Sequence, residues 1–407
     1  MDELDALWAF LVAAALALVI TPATARMART LGVLHEPRER DLHRHAVPGL
    51  GGLAILVAVV TSALLFLPNE PATRGIVGGA VAITLVGAVD DALDGGLPPL
   101  VKLVGQFGAA LIPVASDVRV ENVTLPFVDP LQLGDWGFPV TLVGIVAVMN
   151  VVNFTDGADG LAAGVCTIAA GTFAVIALSL NDRVDAGVLA ALTAGASVGF
   201  LWHNFHPASI FMGDAGSNLL GLLLACVAIQ GVLKTAAVVA LFFPLVILAV
   251  PAADATFVVA KRIKYGRPVY SADRWHFHHR FTDIGFSQRR TVLYLYGWTL
   301  SLAALALAMR FVPYSDDDGT LNPGWTAVIA TFGLVALAAS LYLVVVLEIL
   351  KLKRFREREL RRQVETGERP ALTRAEIERQ AEHEVETGEF KAVTPPDTGE
   401  FQPVGRD

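Results

Sequence analysis

The chain has 407 residues, of which 54% are hydrophobic and only 17% are charged, and its formal net charge is −8. Soluble proteins carry charges at about a quarter of their positions. The composition therefore excludes an ordinary soluble enzyme, and it gives no reason to expect a nucleic-acid partner. The two cysteines, Cys166 and Cys226, lie in apolar runs and are expected to be small core residues.

Apolar runs recur along the chain, and about eleven of them approach the roughly 17 to 25 residues that a helix needs to cross a lipid bilayer. They fall near residues 7–25, 50–67, 75–89, 99–116, 138–153, 161–180, 185–202, 217–232, 235–258, 291–312 and 325–350. The first run has no basic segment ahead of it, so we expect a true span rather than a removable signal peptide. The sequence predicts an all-α, polytopic membrane helical bundle.

Basic residues are concentrated in alternate loops, and this asymmetry predicts the orientation. Loops 26–49 and 261–290 and the segment after residue 350 are rich in Arg and Lys, whereas the loops between them hold few. Basic loops stay on the cytoplasmic side of the membrane. We therefore expect the N-terminus outside and the C-terminus in the cytoplasm.

Three aspartates follow the third apolar run, in VGAVDDALDGG, residues 86–96. Adjacent carboxylates suit a hard cation such as Mg²⁺, which prefers oxygen ligands. Like charges this close also raise one another's pKa. We interpret Asp90 and Asp91 as metal ligands, one of them also a candidate proton acceptor, rather than as part of a merely solvated loop with Asp94.

The stretch NVVNFTDGADGLAAG, residues 150–164, places two amides and two carboxylates between apolar runs. Asn150 and Asn153 are three residues apart and therefore share one helix face. The glycines predict that this helix ends here in a short polar loop. Because acids at a membrane edge are a functional hypothesis by default, Asp156 and Asp159 are candidate catalytic residues.

A further acid, Asp214, lies in the turn FMGDAGS, where Ser217 is expected to cap the next helix. A turn or capping role is also the alternative to a metal-binding role for Asp214. With the predicted orientation, five acids share the cytoplasmic side, namely Asp90, Asp91, Asp156, Asp159 and Asp214. Structure alone does not explain this convergence, so we expect one functional site.

The loop YSADRWHFHHRFTDIGFSQRR, residues 270–290, crowds histidines and arginines on the same side. The candidates are Arg274, His276, His278, His279 and Arg280. Three imidazoles could bind zinc, but no cysteine is near and the spacing matches none of the usual zinc patterns. Binding of a diphosphate anion is the better interpretation, and a solvated loop remains the other alternative.

Beyond the last span the composition turns from basic to acidic. We place a membrane domain at residues 1–355 and a cytoplasmic tail at residues 356–407. In the tail, Thr373 and Glu376 have the spacing of a capping box, which predicts a short helix to about Val385. The remainder of the tail is expected to be largely disordered.

Carboxylates, Mg²⁺ and basic loops at one membrane face suit phosphoryl chemistry. No Walker motif is present, which argues against ATP-driven transport. Over roughly residues 5–350, the chain resembles the polyprenyl-phosphate N-acetylhexosamine-1-phosphate transferases. VGAVDDALD is similar to their paired-aspartate motif, NVVNFTDGADGL to their asparagine–aspartate motif, FMGDAGS to their Gly-Asp motif, and DRWHFHHRF to their histidine motif.

The resemblance implies that a UDP-sugar reacts with undecaprenyl phosphate to give a polyprenyl-diphosphate-sugar and UMP, with Mg²⁺ required and Mn²⁺ able to substitute. It implies that Asp214 is the main metal ligand and that Asp90 or Asp91 holds or deprotonates the lipid phosphate. Asn153, Asp156 and Asp159 would shape the nucleotide-diphosphate pocket, with His278 and His279 near the phosphates or sugar. Asn150 is a further candidate for binding substrate. The family further implies a plasma-membrane enzyme with a cytoplasmic active site, and it allows a homodimer.

The order of residues in the histidine motif resembles the N-acetylglucosamine branch of the family, so UDP-N-acetylglucosamine is the expected donor. The alternative within the family is a phospho-N-acetylmuramoyl-pentapeptide transferase, which shares the aspartates. From another class, a cation-coupled transporter also places acids in a membrane. Its acids would lie inside the spans, at broken helices in two related halves, whereas here they gather at one face.

Overall fold

The computed structural model describes residues 3–35, 46–123, 131–180, 183–233, 248–264, 287–313, 321–346, 352–366 and 372–387. The helices in this part of the chain are α1 (Glu3–Leu31), α2 (Gly51–Phe66), α3 (Pro71–Ala92), α4 (Pro99–Ala115), α5 (Gly137–Thr155), α6 (Leu161–Leu178), α7 (Val184–Asn204), α8 (Gly213–Val227), α9 (Ala249–Lys264), α10 (Gln288–Phe311), α11 (Pro323–Val346), α12 (Leu352–Glu365) and α13 (Arg374–Thr387). Two short antiparallel ladders join loops, β1 (Leu34–His35) with β2 (Val47–Pro48) and β3 (Asn122–Val123) with β4 (Leu131–Gln132). The predicted helical class is confirmed.

Among the described helices, seven are long and apolar enough to cross a membrane. They are α1, α3, α5 with the 3₁₀ turn before it, α6, α7, α8 with the residues to Gly231, and α10. The shorter apolar helices are α2, α4 and the Pro323–Ala338 part of α11. A polytopic bundle is therefore confirmed, whereas the count of eleven spans and the orientation stay predictions. More than half of the ninth predicted run, 235–258, lies outside the described residues.

Small residues let α1 and α7 pack with their backbones almost in contact. A Cβ added to Gly195 would lie 2.2 Å from the carbonyl oxygen of Phe10, and one added to Gly199 would lie 2.2 Å from that of Ala14. The facing stripe of α1 is made of buried alanines, Ala6, Ala9, Ala13 and Ala17. Close contact of this kind replaces the hydrophobic driving force that helices lack inside a lipid bilayer.

The polar ends of the central helices meet at one end of the bundle. The C-terminal end of α5 reaches the start of α8, where Asn153 Nδ2 donates to Asp214 Oδ1 at 2.7 Å. The C-terminal end of α7 reaches the start of α6, where the backbone N–H of Gly160 donates to Asn204 Oδ1 at 3.1 Å. Polar groups near the hydrocarbon are thereby satisfied by one another.

Glycines also bring α2 and α3 against the beginning of α8. A Cβ on Gly87 of α3 would lie 2.4 Å from the Cα of Ala215, and a Cβ on Gly52 of α2 would lie 2.2 Å from the backbone nitrogen of Gly216. Any larger side chain at these two positions would push the helices apart. The approach sets the end of α3 directly beside the start of α8.

The described residues from Leu352 onward form a helical hairpin, α12 and α13, which begins four residues before the predicted tail. Its small core consists of Leu360, Leu372, Ile377 and Ala381, and Arg356 pairs with Glu384 across it. The predicted capping box is confirmed, because the Thr373 backbone N–H donates to the Glu376 carboxylate at 2.7 Å and α13 runs on to Thr387. The domain boundary at residue 355 stays a prediction.

Candidate active site

Three aspartates from two helices form a compact acidic group. Asp90 and Asp91 come from the last turn of α3, and Asp214 comes from the first turn of α8. Each offers a carboxylate oxygen, and these three oxygens lie within 4.8 Å of one another. The convergence that the sequence predicted for these three residues is therefore present in the structure.

Asp91 holds the N-terminus of α8. Its Oδ1 accepts the backbone N–H of Asp214 at 2.8 Å, and its Oδ2 accepts that of Ala215 at 3.1 Å. A carboxylate is favourable there because the first N–H groups of a helix have no partners within it and carry partial positive charge. Gly213 permits the approach, because it adopts φ +68° and a Cβ on it would lie 2.2 Å from the Asp91 carboxylate.

The prediction that Ser217 caps this helix is wrong. The helix begins at Gly213, so Ser217 lies in its second turn and donates its hydroxyl back to the Gly213 carbonyl at 3.0 Å. The hydroxyl also accepts a hydrogen bond of 2.8 Å from Asn153. The capping role falls to Asp91, which is distant in sequence and therefore invisible to local pattern rules.

Asp214 is fixed on both sides. Its Oδ1 accepts the Asn153 hydrogen bond, and its Oδ2 pairs with the ammonium of Lys102. The same Lys102 Nζ lies 3.9 Å from Oδ2 of Asp90, whose Oδ1 accepts the backbone N–H of Leu97 at 2.7 Å. The sequence interpretation missed Lys102, although a charged residue opening an otherwise apolar helix is itself a functional signal.

A buried amide network supports the acidic group from within the bundle. Asn150 Nδ2 donates to Gln106 at 2.9 Å, and Gln106 Nε2 donates to Asn218 at 2.7 Å. Asn218 Nδ2 in turn donates to the backbone carbonyl of Asp214 at 2.8 Å. The side chain of Asn150 thus joins α5 to α4, and its predicted contact with substrate stays a prediction.

Asp159 faces another loop. It is 7% exposed, and its Oδ2 accepts hydrogen bonds from Nδ1 of His206 at 2.7 Å and from the backbone N–H of Ala208 at 3.1 Å. The described contacts of this carboxylate therefore hold the segment between α7 and α8. Its predicted catalytic role stays a prediction.

Asp156 follows the last residue of α5, and the charges of both Asp91 in the acidic group and Asp159 act on it. Burial, together with the negative charges of Asp91 and Asp159, raises the pKa of its carboxyl to about 8. A carboxyl in such a place retains its proton more readily than usual. This group can therefore donate or accept a hydrogen bond near neutral pH.

The remaining predicted residues belong to the histidine motif. Arg274, His276, His278, His279 and Arg280 all lie outside the described residues. The described element that follows the motif in sequence is α10, in which Arg289 Nε donates to the backbone carbonyl of His206 at 3.1 Å. The diphosphate and zinc interpretations of the histidine motif both stay untested.

The acidic group fits a hard divalent cation by its chemistry. Mg²⁺ binds carboxylate oxygens and usually takes only one or two carboxylates, keeping several waters. Asp214 and Asp90 direct their Oδ2 atoms at a cation already, namely the Lys102 ammonium. The donor set and its attraction for positive charge therefore agree with the predicted magnesium site.

The chain is similar to known membrane transferases. The model of glycosyl transferase family 4 matches residues 73–232. A probable undecaprenyl-phosphate N-acetylglucosaminyl 1-phosphate transferase of Bacillus subtilis is 36% identical over 303 residues, which cover 74% of this chain and 84% of that protein. A decaprenyl-phosphate N-acetylglucosaminephosphotransferase of Mycobacterium tuberculosis is 34% identical over 344 residues, or 76% of this chain and 84% of that protein.

A third relative bears on the alternative within the family. A phospho-N-acetylmuramoyl-pentapeptide-transferase of Caldanaerobacter subterraneus is 34% identical over 276 residues, which cover 65% of this chain and 84% of that protein. The family match includes the paired-aspartate, asparagine–aspartate and Gly-Asp motifs, so the predicted resemblance is confirmed. The acidic group, the polytopic bundle and these similarities lead to one conclusion: the chain belongs to glycosyl transferase family 4 and is a membrane-embedded phospho-sugar transferase.

Proposed function

We propose that this enzyme transfers N-acetylglucosamine-1-phosphate from UDP-N-acetylglucosamine to undecaprenyl phosphate and releases UMP. An oxygen of the lipid phosphate attacks the phosphorus that carries the sugar. The bond from that phosphorus to the oxygen bridging the two phosphates breaks, and the bridging oxygen leaves with UMP. The product, a polyprenyl-diphosphate-sugar, would start a lipid-linked glycan of the cell envelope.

One observation carries the proposal, namely the convergence of Asp90, Asp91 and Asp214 at the ends of membrane helices. A diphosphate donor brings negative charge into the site, which carboxylates alone would repel. The arrangement therefore makes chemical sense with a divalent cation between the carboxylates and the donor. Membership of a phospho-sugar transferase family supports the same reading.

Asp214, Asp90 and Asp91 would hold Mg²⁺, or Mn²⁺ in its place, and the bound ion would neutralise the diphosphate. The chain's own contribution is positioning. Asp91 fixes the start of α8, and Asn153 and the amide network fix Asp214. A phosphate monoester has its second pKa at about 6, so the attacking lipid phosphate is largely a dianion and needs little help from a base.

The location of the site suits a water-soluble donor and a lipid acceptor. The acidic group lies at helix ends, so a nucleotide can enter from the aqueous phase, and the lipid phosphate can enter sideways between helices. With the orientation that the basic loops predict, this is the cytoplasmic face of the plasma membrane. Asp156, which retains its proton near neutral pH, would contact the nucleotide.

The histidine motif is proposed to bind the phosphates and the sugar of the donor. Arg274 and Arg280 would supply charge-assisted hydrogen bonds, and Trp275 and Phe277 would stack on compact rings. The neighbouring histidines, His276, His278 and His279, would add further polar contacts. A motif rich in arginine and aromatic residues suits a compact sugar and its phosphates, whereas a donor with an attached pentapeptide needs an open groove.

The second candidate is transfer of phospho-N-acetylmuramoyl-pentapeptide. A relative of that name is 34% identical, close to the values for the N-acetylglucosamine relatives. Identity alone therefore does not separate the two donors. The aspartates are expected in both kinds of transferase, so the donor assay below has to distinguish the two functions.

The experiment uses purified full-length protein with undecaprenyl phosphate, Mg²⁺ and either UDP-N-acetylglucosamine or the muramyl-pentapeptide nucleotide, and it measures released UMP. We expect kcat/KM to be at least about tenfold higher for UDP-N-acetylglucosamine, since a site whose polar groups pair with one sugar discriminates strongly against a donor that leaves them unpaired. Arg274→Ala and His279→Ala should lower this value while the protein stays folded. Equal rates, or preference for the pentapeptide donor, would contradict the donor assignment and leave the reaction class standing.

A further inference from the structure

Lys102 lies inside the acidic group, in a place that the four motifs do not explain. Its Nζ pairs with Oδ2 of Asp214 and lies 3.9 Å from Oδ2 of Asp90. The side chain, in the first turn of α4, is 23% exposed. A lysine ammonium is a compact point charge, and here it supplies positive charge to neighbouring carboxylates that would otherwise repel one another.

The oxygens that face Lys102 are also the best remaining metal ligands. Oδ1 of Asp214 accepts a hydrogen bond from Asn153, and Oδ1 of Asp90 accepts one from Leu97. Both oxygens of Asp91 accept N–H groups of α8. Within these contacts of the described residues, the two Oδ2 atoms are the least engaged by hydrogen bonds, and both point at Lys102.

We propose that Lys102 is an internal counter-ion that a divalent cation displaces, so that lysine and metal compete for Oδ2 of Asp214 and Oδ2 of Asp90. This inference rests on the metal site of the proposed function. Mg²⁺ binds oxygen at about 2.0–2.1 Å, which leaves no room for an ammonium in the same position. The flexible four-carbon stem of lysine lets its ammonium move aside while the backbone of α4 stays in place.

The exchange sets the affinity for the metal. Without metal, the ammonium reduces the repulsion between the carboxylates. A cation that enters must replace the ion pair between Lys102 and Asp214 and tolerate a positive neighbour. Removing the lysine charge should therefore strengthen metal binding, which is the opposite of what loss of a supporting residue would do.

The test is a Mn²⁺ titration of full-length protein without nucleotide or lipid phosphate, with free Mn²⁺ measured by electron paramagnetic resonance. Lys102→Met keeps the apolar stem and removes the charge, and we expect its Kd for Mn²⁺ to fall by about tenfold, the size of a close charge effect. Lys102→Arg keeps the charge and should stay within about threefold of the wild type. Arg119→Met removes a cation beyond the other end of α4 and should leave the Kd unchanged.

An unchanged or weaker affinity in Lys102→Met would overturn the proposal. Asp214→Asn separates this failure from a failure of the metal site. If Asp214→Asn loses Mn²⁺ binding but Lys102→Met does not bind Mn²⁺ more tightly, the metal site stands and the competition between lysine and metal is rejected. If Asp214→Asn binds Mn²⁺ as the wild type does, the metal site itself is rejected. Thermal unfolding gives a second readout, because added Mn²⁺ should raise the Tm of Lys102→Met more than that of the wild type. Lys102→Gln replaces the Met variant if the latter does not fold.

Discussion

Two acids at the same end of the bundle have opposite surroundings. Asp214 presents one carboxylate oxygen to a cation beside two further carboxylates, whereas Asp159 is almost fully buried and holds the loop of His206 and Ala208. Both occur in motifs of the same family and both carry a charge at a membrane edge. The difference teaches that motif membership does not distinguish an acid that faces a cation from one whose hydrogen bonds hold a neighbouring loop.

The largest expected effect is at Asp214. Asp214→Asn removes a charged oxygen from the metal-binding group, so we expect UMP release to fall by at least about a hundredfold, because a bound metal contributes several kcal/mol to such reactions. The matched control is Asp117→Asn, since Asp117 lies beyond the other end of α4 and its side chain is 79% exposed. Turnover near the wild-type rate in Asp214→Asn would show that the reaction does not depend on Asp214 as a metal ligand.

A smaller effect on catalysis and a larger one on stability are expected at Asp159. Asp159→Asn weakens charge-assisted hydrogen bonds to His206 and Ala208, which are worth about 1.5–3 kcal/mol when made to charged groups. The free energy of unfolding should fall accordingly, while activity per folded molecule should stay within about tenfold of the wild type. A normal melting curve with activity as low as that of Asp214→Asn would show that Asp159 acts directly on the substrate.

Asp156 allows a further test, because its effect on stability should depend on pH. Its pKa of about 8 in the folded protein lies above the ordinary value of 3.8, so folding takes up a proton and the residue's contribution to stability falls as pH rises between these two values. Asp156→Asn does not titrate. Its stability relative to the wild type should therefore increase from about pH 4 to about pH 8 and stay level above that, as measured by thermal unfolding across this range. A difference that does not change with pH would show that Asp156 is not desolvated.

The smallest effect is expected in the tail. The hairpin of α12 and α13 has its own small core, and Arg356 pairs with Glu384 inside it. Deleting residues 352–407 removes the whole hairpin, so we expect UMP release within about twofold of the wild type. The check is the rate per correctly inserted molecule. Loss of most activity would show that the reaction needs residues after position 351.

Much of the acidic group could be predicted from sequence because charge near a membrane is costly, so Asp90, Asp91 and Asp214 stand out from apolar neighbours. Lys102 was missed because a lone lysine at the start of an apolar run also fits the ordinary bias of basic residues near the ends of spans. Ser217 was misassigned because the helix starts four residues earlier, and helix boundaries depend on contacts from distant residues such as Asp91. The amide network of Gln106 and Asn218 joins separate helices, and no local spacing reveals such contacts.

The central claim is that Asp90, Asp91 and Asp214 hold a divalent metal ion, and its most direct test is the position of the bound metal. Crystals of the full-length protein grown with Mn²⁺ would show it by anomalous scattering. We predict a peak at ligand distance, about 2.0–2.2 Å, from Oδ2 of Asp214 and beside Asp90 and Asp91, with the Lys102 ammonium moved away from those oxygens. A peak only at His276, His278 or His279, or no peak among the three aspartates, would contradict the account.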